Sequence, residues 1–164
     1  MELLTTKIQI ESYLAEYLIG KWGKKDAKGK PTGIVAIPDT IYLYHNLWSL
    51  TSTTPHYIKE DDIVGNVEIV LPNRKEGKDP RYYNYISEES AKIFNKDVKL
   101  FFRADLHNFL DKKKHDEGYT YKEAAYIFAL QHDIVSYEVD SMTKNYARWR
   151  NNIRNRKQKA YSSR

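Results

Sequence analysis

The sequence predicts an α+β fold, mainly helical, with a small N-terminal sheet region and a C-terminal helical bundle that ends in a basic helix. Three observations carry this. Gly65–Leu71 (GNVEIVL) alternates cleanly at Val67, Ile69 and Leu71, the pattern of a half-buried strand. Ala91, Phe94, Val98, Phe101, Phe102, Leu106 and Phe109 repeat at helical spacing and share one broad face. Met142, Tyr146, Trp149 and Ile153 recur at i, i+4, i+7 and i+11, a narrow apolar stripe on a third segment, Val139–Lys159.

In chain order, Lys7–Ile10 alternates and reads as a short strand. Ser12–Trp22 reads as a short helix with Tyr13, Leu14, Tyr17 and Leu18 on one side, ended by Gly20 and Gly23. Gly23–Gly33 is rich in Lys and Gly and is expected to be an exposed loop rather than a phosphate cradle. Gly33–Ile37 is a β-type run closed by Pro38, and Asp39 is the expected N-cap of a buried central helix, Thr40–Leu50. His45 within it reads as a core or half-exposed histidine. Thr51–Asp62 is polar and reads as a loop. After Pro72, Asn73–Pro80 is a basic connector, and Asp79–Pro80 predicts a short helix over Arg81–Ser87. Ser87 caps the long helix, Glu88 to about Asp116. Ile93 and Leu100 lie opposite its main apolar face, so its first half is expected to be buried on both sides, with a homo-oligomer as one source of cover. Thr120 and Glu123 form a T-x-x-E capping box before Ala124–Leu130. A break at His132–Ser136 precedes the last helix. The 164 residues are expected to form a single domain: a mixed α/β part (1–72), a helical part (80–159) and a flexible tail (160–164).

Charge is distributed unevenly. Of 27 basic and 22 acidic residues, eight basic and no acidic ones fall in residues 141–164, so the net charge of +5 belongs to the C-terminal segment. Such asymmetry points to a polyanion, nucleic acid ahead of a membrane surface. No stretch approaches the roughly 20 apolar residues of a membrane span. The opening MELLTTKIQI lacks the order of a signal peptide. With no cysteine there is no disulfide framework and no thiolate metal site. A cytoplasmic protein without a cofactor is expected.

The candidate site is Val139–Lys159 with the helix before it. A helix, a turn and a second, basic helix is the layout of helix-turn-helix binders, whose second helix enters the major groove. Lys144, Arg148, Arg150, Arg154, Arg156, Lys157 and Lys159 supply cations for phosphates; Asn145, Asn151 and Asn152 are suited to adenine edges. The connection is longer than the compact motif and lacks its turn glycine. A second basic cluster, Arg74, Lys75, Lys78 and Arg81, is interleaved with Tyr82, Tyr83 and Tyr85, a pattern suited to phosphate contact and base stacking. The plainer expectation is tyrosines on the core and solvated charges. His107, Asp111 and His115 recur every four residues, but they project away from the apolar face and read as a solvated surface rather than a metal strip. There is no H-E-x-x-H, Walker loop, G-x-S-x-G or cysteine nucleophile, so no enzyme is expected.

The runs KIQIESYLAEYL (Lys7–Leu18), LPNRKEGKDPRYYNYIS (Leu71–Ser87) and NYARWRNNIRNRKQK (Asn145–Lys159) resemble segments of small uncharacterised proteins of Bacteroides-type prophages and mobile elements. The resemblance brings no activity and no functional residues with it. It implies a DNA-related role, since such elements encode many small DNA-binding and regulatory proteins. The expectation is therefore a nucleic-acid-binding accessory or regulatory protein acting through its basic C-terminal helix, on double-stranded DNA first. The alternative is a non-enzymatic interaction module that oligomerises through the long helix.

Overall fold

The computed structural model describes residues 3–163, so the last residue of the basic segment, Arg164, lies outside them. The fold is α+β, with a four-stranded sheet in the N-terminal half and helices in the C-terminal half. The chain forms two compact units, one reaching Phe102 and the other starting at Arg103.

The first unit holds strands β1 (Thr5–Ile8), β2 (Gly23–Lys25), β3 (Pro31–Val35) and β4 (Val67–Val70), helices α1 (Ser12–Trp22) and α2 (Tyr42–Leu50), and the first half of α3 (Glu88–Glu117). The sheet order is β1-β4-β3-β2. β4 pairs antiparallel with β1 (Thr6 opposite Ile69) and parallel with β3 (Val35 opposite Ile69). Alternation on β4 therefore buries Val67 and Ile69 and turns Glu68 away. Leu14, Tyr17 and Leu18 of α1 are wholly buried, and the Tyr17 and Tyr13 rings meet Phe102 edge-on at 5.1 and 5.2 Å. Asn66 ties the end of β1 to the start of β4: its side chain accepts from Ile10 N at 3.0 Å and donates to Ile10 O at 2.7 Å.

Several expectations for this unit are corrected. Gly23–Gly33 is a β-hairpin, not a loop. Asp26 closes its turn by accepting from the Lys28 and Lys30 amides, both at 2.8 Å, and Gly29 takes the left-handed conformation the turn requires. Asp39 does not cap α2. The N-cap is Ile41, without a side-chain bond, because Pro38–Ile41 closes a turn of its own (Ile41 N to Pro38 O, 3.1 Å) and the helix starts only after it, at Tyr42. Nor is α2 buried all round: Leu43 and Leu47 are buried, while Tyr42 and His45 are exposed. Over Arg81–Ser87 the chain makes one turn on Asp79 rather than a helix. Tyr85 then bonds with Ser52 in both directions, and this isolated bridge pulls the backbone extended. Finally, Ile93 is 49% and Leu100 62% exposed, so α3 is apolar on two sides but covered on one.

The second unit holds the C-terminal half of α3 with α4 (Tyr121–Gln131) and α5 (Val139–Ser162). Its core contains Leu106, Leu110, Ala124, Ala125, Phe128, Ile134, Met142 and Tyr146. Phe109 and Phe128 meet edge-on at 5.3 Å. No described helix is long and apolar enough to cross a membrane.

Candidate nucleic-acid interface

The second unit fixes the direction of α5 through local chemistry. The capping box forms: Glu123 N donates to Thr120 Oγ1 at 3.2 Å, and the Glu123 carboxylate accepts from Thr120 N at 2.8 Å. The Thr120 amide, and then the Thr120 hydroxyl donating to the same carboxylate at 2.8 Å, hold the Glu123 carboxyl below its ordinary pKa. α4 stops at His132, and Asp133 adopts a left-handed conformation that turns the chain. Ile134 then drops into the core, its amide bonded to Ala129 O at 2.9 Å. Seven residues, 132–138, separate α4 from α5. This exceeds the three- or four-residue turn of a compact helix-turn-helix.

α5 docks by its stripe as the period requires. Met142 and Tyr146 are buried, Ile153 is half-buried, and Trp149 is 39% exposed. What the stripe meets on α3 corrects the expectation of a solvated face. His107 is buried. Its Nε2 pairs with Asn145 Oδ1 at 2.9 Å, and its ring lies against Trp149 at 4.6 Å. Burial pushes the His107 pKa down, with the Arg103 charge adding to it, against opposing pulls from Asn145 and Asp111. Asp111, one turn on, accepts a hydrogen bond from the Tyr146 hydroxyl. Burial, then that bond, raises the Tyr146 pKa. His115 is exposed. No group of three metal-ligating side chains occurs among the described residues. The four-residue spacing of His107 and Asp111 was visible in the sequence; that a second helix covers it was not.

The basic residues of α5 divide into two sets. Asn145 faces His107, and Arg150 donates from Nη1 to the Tyr121 hydroxyl at 2.8 Å with its guanidinium 5.7 Å from that ring. Lys144, Arg148, Arg154, Arg156, Lys157 and Lys159 are exposed, and their charged ends have no ion pair or hydrogen bond to another described residue. At 100° per residue, Lys144, Arg148, Asn151 and Asn155 lie opposite Met142 and Tyr146. Arg156 and Lys157 return toward the inward side, but beyond Ile153 every described residue is exposed. The last turns are thus cationic all round, and the earlier turns on the outer side only.

No family model, curated protein sequence or solved structure matches this chain.

The second basic cluster lies in the first unit, and most of it is used there. The Lys78 ammonium donates to Trp48 O (3.2 Å), Ser49 O (2.8 Å) and Thr51 O (2.7 Å), closing the C-terminus of α2 where carbonyls lack intrahelical partners. Arg74 stacks its guanidinium over Trp48 at 4.6 Å. Gly77 passes under the same indole; a Cβ there would sit 2.7 Å from Trp48 Cζ2. Arg81 forks onto Asp79 through Nε and Nη2, which holds the Asp79 carboxyl below its usual pKa. Lys75 is exposed, as is Tyr82, whereas Tyr83 and Tyr85 are half-buried. The charges expected to be solvated are mostly partnered, because an α2 terminus and a tight turn need them.

Proposed function

We propose that this chain binds nucleic acid, double-stranded DNA in the first place, through the outer side of α5. The carrying observation is that six exposed cations, Lys144, Arg148, Arg154, Arg156, Lys157 and Lys159, project from one helix without an acidic partner among the described residues. On α3, by contrast, Lys92 pairs with Glu88 and Lys113 with Glu117. Uncompensated cations gain most from a polyanion that releases counterions. α5 has 24 residues, a rod of roughly 36 Å. A helix fits the major groove, and Asn151, Asn152 and Asn155 on its exposed side suit adenine N6 and N7. The inward seam of His107, Asp111, Asn145 and Tyr146 would hold the rod at a set angle. The resemblance to mobile-element proteins supports an accessory or regulatory role.

The test is a salt titration on random duplex and single-stranded DNA. Wild type should show log affinity falling with log salt at a slope near −4 to −5 if about five phosphates are neutralised. Replacing Lys144, Arg148 and Arg154 together with Ala should bring the slope about three units nearer zero without lowering the melting temperature. Unchanged binding by that variant would place the site elsewhere. A second reading, a self-associating interaction module, draws on the exposed Ile93 and Leu100 of α3.

A further inference from the structure

Beside the outer surface of α5 is a groove between the first turn of α4 and the middle of α5. Its lining includes Tyr121, Lys144, Tyr146, Arg150, Asn151 and Arg154. No carboxylate lines it. Asp111, which meets the lining at Tyr146, is engaged by that hydroxyl.

Arg150 sets this groove apart from the rest of the basic surface. It is only half exposed, and a guanidinium partly withdrawn from water needs a hydrogen-bond partner. Here it finds a phenol. Its Nη1 donates to Tyr121 at 2.8 Å, and the cation lies over the ring that Lys114 approaches from α3 at 5.6 Å. One of five guanidinium donors is spent in this way. The rest keep a direction fixed by the tyrosine, so little rotamer freedom remains to be lost when an anion arrives. Arg154 follows one helical turn later, and Asn151 lies between them with two amide donors.

We propose that this groove seats one backbone phosphate of the bound nucleic acid. Arg150 and Arg154 grip the phosphodiester oxygens, and Tyr121 acts as the positioning residue that orients Arg150. The inference rests on the nucleic-acid reading above and deepens it. A fixed guanidinium fork at the α4–α5 contact would set the register of α5 along the strand, whereas the mobile lysines further on would contribute charge alone.

The experiment is equilibrium binding to one random duplex across a salt series. It compares wild type with Arg150→Ala, Arg150→Lys, Tyr121→Phe and, as a control outside the groove, Arg156→Ala, each checked by thermal melting. Arg150→Ala should weaken binding about tenfold, the worth of a charged hydrogen-bonded contact, and bring the slope about one unit nearer zero. Arg156→Ala should lower the slope similarly but the affinity less. Arg150→Lys keeps the charge and loses the fork, so affinity should fall while the slope stays at the wild-type value. Tyr121→Phe should do the same, since it frees Arg150 without removing charge. If Arg150→Lys and Tyr121→Phe bind as wild type does, Arg150 is only one more cation and the groove proposal is overturned, with the broader reading intact. If wild type itself fails to bind at low salt, both fall together.

Discussion

His107 illustrates how far one side chain's role depends on its cover. It sits among Arg103, Asp111, Asn145, Tyr146 and Trp149, with its pKa below the ordinary 6.5, chiefly through burial. Folding disfavours its protonated form, while the unfolded chain takes up a proton near the ordinary pH 6.5. Stability is therefore full above that value and declines as pH falls through it toward the folded-state pKa. The melting temperature should drop more between about pH 7.5 and about pH 5.5 for wild type than for His107→Gln, which has no imidazole to titrate. Equal drops in the two proteins would remove His107 as the cause. Lys78 teaches the same lesson in the other direction. As a sequence position it reads as a cation for phosphate, yet three carbonyls at the end of α2 take its three donors. Neither role can be seen in the identity of the residue, because both depend on which backbone or ring packs against it.

Among the elements, α1, α4 and α5 follow from sequence signals that are local and strong. The bounds of α1 match the expected Ser12–Trp22, and the Thr120–Glu123 box starts α4 where the spacing requires. The hairpin β2–β3 and the lone turn after Asp79 do not follow, because single contacts decide them: the Asp26 side chain closing the first, and an isolated bridge to the distant Ser52 after the second. For α5 the stripe is correct but unequal in depth. Met142 is wholly buried and Trp149 is not. Met142→Ala should cost about 2–5 kcal/mol, the usual penalty of a core methionine cut to alanine. It should shift the urea midpoint while leaving the salt slope of DNA binding unaltered. A change in slope with no loss of stability would mean that α5 docks otherwise.

Across the whole molecule, charge is segregated while apolar exposure is not. Positive charge concentrates past Ser141, whereas exposed apolar side chains occur in both units, Ile93 and Leu100 in one and Tyr126, Leu130 and Val135 in the other. If α3 mediates self-association, light scattering should give a multiple of the single-chain mass, and Leu100→Lys should return it to one chain. A single-chain mass for wild type at high concentration would end that reading.

The α+β class, the long helices and the cationic character of the C-terminal segment were all legible in the sequence. Periodicity, caps and net charge are properties of neighbouring residues, and neighbours along the chain remain neighbours in the fold. Only the tertiary structure decided which cations are free. Arg150 is held by Tyr121, Arg74 by Trp48, Lys78 by α2 and Arg81 by Asp79, whereas Lys144, Arg148 and Arg154 stay open. All but the Asp79 pair join residues more than 20 positions apart, and no local pattern encodes such distances. A charge is written in the sequence, but its partner is chosen by packing.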